Sequence, residues 1–433
     1  MAHGHGHLAA HGRSRTGDDT PPWVRWLLVA VVGVIALTAA VGLWLLRPQG
    51  TAPKTAEGLG LAPGVTLLDG RVEFVAPLDC DQMGFSDEEQ PPRPPSASAR
   101  CGRAEVTVLS GAEAGTTISV DLPPQVRRAG TGLPIIVMKV PGEGEDVTYS
   151  FYDVERSQPL LVMALLFVVV VVAVARWRGV RSLIGLGVAA YAVVEFLLPA
   201  LLEGRNPVAL GLVVSAAIMI VVLYLTHGVS IRTTTALLGT FAGLAITAVV
   251  GTVAVNLTHL TGASSEESFA LQQVAGQLDL RHVLTCGIIL AGLGILNDVT
   301  ITQSSAVWEL HEVDGRMDRA RLYRQGMRIG RDHIASTVYT IVFAYAGAAL
   351  SVLLLISLAD APLSLILTSN DIAEELVRTM ASAIGLVLAV PATTALAVLV
   401  VGTARSRGAG DPAGDDEDSG DPEPSEHAVT VRH

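Results

Sequence analysis

The chain has 433 residues, of which 50% are hydrophobic and only 16% charged, with a formal net charge of −12. A water-soluble protein usually carries charge on about a quarter of its residues, so the composition excludes an ordinary soluble domain. Arginines gather in short loops and acids in the tail and outer segments. That leaves no basic surface of the kind nucleic-acid binding needs, and no such partner is expected.

Residues 1–22 set His3, His5, His7 and His11 among glycines. Such a run either binds a metal such as Zn or Ni, or is a disordered polar tail. The first apolar run covers residues 23–46. It is too long for a signal-peptide core, and no small-x-small cleavage site follows before Arg47 and Pro48; it reads as a retained signal-anchor.

Residues 47–157 change character. β-branched or alternating runs at Val65 to Val75, Ala104 to Leu109, Thr116 to Leu122, Ile135 to Val140 and Val147 to Val154 are separated by Gly, Pro and Asp. Five short strands predict a small all-β barrel or sandwich, with an OB-like barrel as one form. Cys80 and Cys101 flank a long loop and either pair in an oxidising compartment or stay as free thiols. Cys286 reads as a packing residue in an apolar run.

Seven further apolar runs approach the roughly 20 residues that cross a bilayer. They are Leu160 to Ala175, Leu183 to Leu202, Val208 to Thr226, Thr234 to Leu257, His282 to Thr302, Ile334 to Leu358 and Val377 to Val401. With the first run they predict an α-helical polytopic membrane protein of about eight transmembrane helices. Residues 158–402 form a seven-helix membrane domain. Arg176, Arg178 and Arg181, then Arg232, then the cluster from Arg316 to Arg331, then Arg405 and Arg407 fall on one side when the spans alternate. Both termini are then cytoplasmic and residues 47–157 extracytoplasmic. Residues 403–433, rich in Asp, Glu, Gly, Pro and Ser, predict a disordered tail.

The sixth span is the most informative. Gly287, Ala291, Gly294, Asp298, Thr302, Ser305 and Glu309 fall within a sector of roughly 80°. Small residues allow close helix approach, and intramembrane carboxylates face other helices or a wet path, so this stripe is expected to face the protein interior. Asn297 adds polarity beside Asp298. Asp298 either lines a solute or proton route, or lies wet near the cytoplasmic end of the span. Gly243 and Gly251 in span five, Gly287 and Gly294 in span six, and Gly385 in span eight mark small packing faces, and Pro391 interrupts the ladder of span eight. Glu195, four residues before Pro199, and His227, closing span four, are further route candidates. A histidine in that position either gates protons or is a solvated end residue.

No GxSxG, HExxH, Walker A or CxxC pattern occurs. Neither enzymatic activity nor a cofactor is expected, and any transport is secondary or uses a partner ATPase. Four stretches carry a resemblance: THGVSIRTTTALLGTFAGL (226–244), GLGILNDVTITQSSAVWEL (292–310), MRIGRDHIASTVYTIVFAYAG (327–347) and NDIAEELVRTMASAIGLVLAVPATTALA (370–397). In this order they resemble the YibE/F family of bacterial membrane proteins, over roughly residues 110–402. Relatives commonly carry Met-Asp where Asn297-Asp298 stand. The resemblance implies a permease of the bacterial cytoplasmic membrane without implying a substrate. Two functions follow: a permease whose route runs along span six, or a sensing or assembly protein whose β-domain binds an extracytoplasmic protein partner. A homo-oligomer within the lipid bilayer is compatible with both.

Overall fold

The computed structural model describes residues 21–50, 64–79, 100–127, 130–142, 147–276, 278–358 and 362–402. His3, His5, His7, His11, Cys80 and the acidic tail lie outside the described residues. The chain divides into two compact units, one holding residues 47–205 and 266–278, the other holding the rest.

The first element, α1 (Pro22–Leu45), belongs to the second of these. Pro at its first position needs no N–H partner there. Exposed Trp23 and Trp44 stand near its two ends, about 32 Å apart at 1.5 Å per residue, which matches the hydrocarbon thickness between two aromatic belts.

The β-unit contains β1 (Thr66–Asp79), β2 (Arg100–Val108), β3 (Thr117–Leu122), a short α2 (Pro124–Arg127), β4 (Pro134–Pro141) and β5 (Val147–Val154). These strands form one antiparallel sheet in the order β3-β2-β1-β4-β5. The sheet curls until β3 and β5 approach each other. Alternation sends Val72, Ala104, Val106, Val120, Leu122, Ile135 and Val137 into a core that excludes water. Gly70 permits the close pairing beside it, since a Cβ there would lie 2.6 Å from Val106 Cγ1. The strand boundaries agree with the sequence reading to within a few residues, except that β1 runs on to Asp79 and β2 begins at Arg100. Cys101 is disulfide-bonded.

The same unit continues into α3 (Ser157–Tyr191), a π-helical turn (Ala192–Leu197) and α4 (Leu198–Leu202). The sequence predicts two spans with a loop at 176–182. Instead, helical hydrogen bonding runs over 46 residues, and only Arg176 leaves helical geometry, at φ 53° and ψ −133°. Gly179 allows the sharp turn: a Cβ on it would stand 2.6 Å from the Val171 carbonyl. A straight helix of that length would reach about 69 Å, more than twice a hydrocarbon core, and the break at Arg176 shortens that reach. None of the most apolar window of this stretch is buried. The unit also holds α7 (Glu266–Val274).

The membrane unit adds α5 (Pro207–His227), α6 (Ile231–Leu257), α8 (Leu280–Val313), α9 (Arg319–Ala348), α10 (Leu350–Leu358), α11 (Leu363–Leu367) and α12 (Asn370–Gly402). Asn206 caps α5 and Ser230 caps α6, each accepting from a backbone N–H three residues on, a favourable helix start. The α8 helix runs eleven residues past its predicted end, to Val313 instead of Thr302. The arginine-rich loop before span seven is helical and forms the first turns of α9. Span seven itself is broken, with a 67° bend between α9 and α10.

Among the described residues, six helices are long and apolar enough to cross a membrane, or seven if the bent pair counts as one. The chain is a multi-pass membrane protein.

Candidate functional site

The centre of the membrane unit is the packing of α6, α8 and α12. Small residues set their separation. A Cβ on Gly243 would lie 2.6 Å from Leu296 Cδ2 and 2.8 Å from Ala389 Cβ, and one on Gly251 would lie 3.1 Å from Ile288 Cγ2. A Cβ on Gly385 would collide with the Thr247 side chain. Gly243, Gly251 and Gly385 thus stand where α6, α8 and α12 approach most closely on these distances. Pro391 sits inside α12 without ending it.

Buried polar side chains in this core are satisfied locally. The hydroxyls of Thr240 and Thr300 are 2.6 Å apart, and Thr240 also donates to the Ala236 carbonyl at 3.0 Å. Ser304 donates to the Arg232 carbonyl at 3.0 Å. Gln303, which is 2% exposed, donates through Nε2 to the Gly326 carbonyl at 2.9 Å and to Thr394 Oγ1 at 2.8 Å. One amide thus ties α8 to both α9 and α12. Sequence reasoning passed over Gln303 because it lies outside the stripe.

The stripe has the expected sector and the opposite direction. Asp298, Thr302, Glu309 and Gly294 are exposed, and a Cβ on Gly287 or Gly294 would meet nothing within 4 Å. The interior instead receives Leu284, Ile288, Gly292, Leu296, Val299, Thr300, Gln303 and Val307. Among the described residues, nothing packs closely on Gly287 or Gly294. The reason is energetic. The opposite face offers large apolar groups that fill the gap against α6 and α12, and its polar members find partners there, whereas Asp298 makes no hydrogen bond or ion pair among the described residues. Asn297, beside it, is half-buried with an unpaired Oδ1. Ser305 is also half-buried.

Asp298 is six residues from Ser304, which marks the Arg232 level. Along a helix that is about 9 Å. Glu195 is exposed in the π-helical turn of the other unit. His227 is exposed at the end of α5, with Nδ1 2.7 Å from Thr226 Oγ1.

The feature that sequence reading missed is Glu374. It is 5% exposed, and among the described residues it is the one buried member of the Asp, Glu, Lys and Arg set. Ser264 Oγ donates to one carboxylate oxygen at 2.7 Å, and Asn370 Nδ2 to the other at 3.2 Å. Both donors are neutral. The nearby cation, Arg378, turns to Glu375 at 3.6 Å. Val377 and Ala381, about one and two turns further along α12, belong to a buried apolar cluster with Val255, Leu260 and Leu284. Ser382 bonds the Ile288 carbonyl, which fixes the register of α12 on α8. From that register Glu374 and Asp298 lie about 27 Å apart along the bundle, Glu374 near the start of α12 and Asp298 near the middle of α8. Glu374 is thus a carboxylate removed from bulk water whose two hydrogen-bond donors are both neutral. Among the described residues no cluster of three or more His, Cys, Asp or Glu could hold a metal ion.

The chain matches no curated protein and no solved structure. The family model described as YibE/F-like protein matches residues 163–403. That match begins after the β-sheet, so the sheet lies outside it, whereas the motif resemblance was expected to reach back to about residue 110. It takes in α5 to α12 and with them Glu374, Gln303 and the outward stripe of α8. Covering more than half of the sequence, the match shows that the chain belongs to the YibE/F-like family.

Proposed function

We propose that the chain is a secondary permease of the bacterial cytoplasmic membrane, in which Glu374 exchanges a proton or small cation and the outward face of α8 lines the solute route. The observation that carries this reading is the burial of Glu374 between two neutral donors, since a coupled carrier needs an ionisable group that changes state out of bulk water. Close glycine-mediated packing of α6, α8 and α12 favours a route on the exposed side of α8. At the depth of Asp298 a carboxylate facing lipid costs about 3 kcal/mol, so a wet route or a second copy of this chain covers it. Eight membrane crossings, counting both arms of the stretch broken at Arg176 and the bent α9–α10 pair, keep both termini, Arg176 to Arg181, Arg232 and the Arg316 to Arg331 cluster cytoplasmic.

The test uses the full chain in liposomes enclosing a pH-sensitive dye. A proton gradient is imposed in the presence of a panel of inorganic anions, divalent cations and small organic acids. The reading expects at least one solute to evoke proton movement, Glu374→Gln to abolish it and Asp298→Asn to reduce it. No response across the panel, or a response in Glu374→Gln equal to wild type, overturns the reading.

One observation favours a role for the β-unit in binding. Its strand order, with β3 and β5 brought together, is that of a five-stranded OB-type barrel. A cleft of about 550 Å³ opens beside β3 and β5, lined in part by Arg103, Asp121, Tyr149 and Phe151. We assign this unit to recognition of an extracytoplasmic protein. Crosslinking from Phe151 in the intact chain, with no adduct formed in cells, would count against it.

A further inference from the structure

A second cleft, of about 420 Å³, lies at the arginine end of the membrane unit. Arg25 of α1, Val229 and Ser230 before α6, Ile231 and Arg232 in its first turn, and Trp308 and Glu312 of α8 line it. We propose that this cleft binds the phosphodiester headgroup of an anionic phospholipid.

The elements meet there for apolar reasons. Val24, Leu28 and Trp308 share one buried cluster, and Ile231 packs against it. That packing holds Arg25 and Arg232 at one opening. The start of α6 adds donors. Thr233 N–H is taken by Ser230 Oγ at 3.1 Å and Thr234 N–H by the Ser230 carbonyl at 2.9 Å. The N–H groups of Ile231 and Arg232 have no acceptor among the described residues, and they sit at the positive end of a 27-residue helix.

Two independent observations specify a lipid. First, Arg25 lies between Trp23 and Trp26, both exposed at the same end of α1, the pattern of a membrane–water interface. Val229, 84% exposed at the turn before α6, offers an apolar contact for the glycerol and upper acyl region. Second, the charge count is selective. Two guanidiniums against the Glu312 carboxylate leave one net positive charge. This complements the single charge of a phosphodiester better than the higher charge of free phosphate or a nucleotide. Basic clefts between membrane helices at the cytoplasmic face are suited to anionic headgroups.

The test uses the full chain, delipidated in a neutral detergent, and native mass spectrometry with dioleoylphosphatidylglycerol or dioleoylphosphatidylcholine. Millimolar inorganic phosphate serves as competitor. Wild type should retain phosphatidylglycerol several-fold more than phosphatidylcholine, with phosphate unable to displace it. Arg232→Gln should cut that preference by about fivefold, the effect of one basic residue near an anionic surface. The Arg232 side chain is exposed, so this variant keeps its fold, and Arg319→Gln, outside the cleft, should leave retention unchanged. Equal retention of the two lipids, an unaltered preference in Arg232→Gln, or displacement by phosphate would each overturn the proposal.

Discussion

Single added methyl groups should distinguish the two small faces of the bundle. Gly243→Ala places a Cβ 2.6 Å from Leu296 Cδ2 and 2.8 Å from Ala389 Cβ, closer than carbon atoms approach. Leu296 is fully buried and Ala389 has no rotamer to change, so α12 must move away from α6. Overpacking of this kind costs about 1–3 kcal/mol, offset by roughly 1 kcal/mol gained by removing glycine from a helix. Gly385→Ala meets Thr247, whose hydroxyl is already held by the Gly243 carbonyl at 2.9 Å, so it yields less readily. Gly287→Ala and Gly294→Ala meet nothing within 4 Å and should keep the full helix gain of roughly 1 kcal/mol. Gly292→Ala, whose nearest neighbour would be Thr247 Cγ2 at 3.6 Å, should be neutral or mildly stabilising. Unfolding of monodisperse monomer in mixed micelles, followed by tryptophan fluorescence, orders the five variants. If Gly287→Ala or Gly294→Ala loses as much as Gly243→Ala or Gly385→Ala, the assigned inward face of α8 is wrong.

Gln303→Ala removes the amide that bonds Gly326 and Thr394 and should lower unfolding stability by about 2 kcal/mol, while Asp298→Asn should stay within about 0.5 kcal/mol in the same micelle titration. In the β-unit, the Lys139 ammonium bonded to Glu113 holds that carboxyl below its ordinary range. A depressed carboxylate contributes stability above its unfolded pKa and loses it as the pH falls through its folded value. Lys139→Met should therefore lower the melting temperature at neutral pH and converge with wild type in acid. Equal differences at both pH values would refute the assignment. Removing the Ser264 donor with Ser264→Ala should speed hydrogen exchange in the 261–265 segment that covers Glu374, because a donor to that buried carboxylate is lost.

The apolar runs were readable because each is long enough to be unstable in water, and the five strands because alternation and turn residues bound them. Direction around α8 was not readable. Both of its sides carry small or polar residues, and Thr300, Gln303 and Ser304 on the buried side find acceptors on helices remote in sequence. Burial of Glu374 was equally hidden, since its donor Ser264 is 110 positions away. From sequence Glu374 is one acid among several in an outer loop. The turn at Arg176 lacks the expected glycine or proline at the break itself. Its signal was Gly179, three residues later, where the returning chain meets Val171. The early start of α9 was concealed by its arginines, which resemble a loop until Leu322, Gly326 and Gly330 are seen to recur on one buried face.

Which side of α8 meets water decides where a route can run. Single cysteines at positions 298 and 303, introduced with native Cys286 retained as a buried internal control, can be challenged in membranes with a membrane-impermeant maleimide. Labelling at 298, with 303 and Cys286 protected, is the predicted result. Labelling at 303 with protection at 298 would place the wet path inside the bundle and contradict both the packing and the route drawn from it.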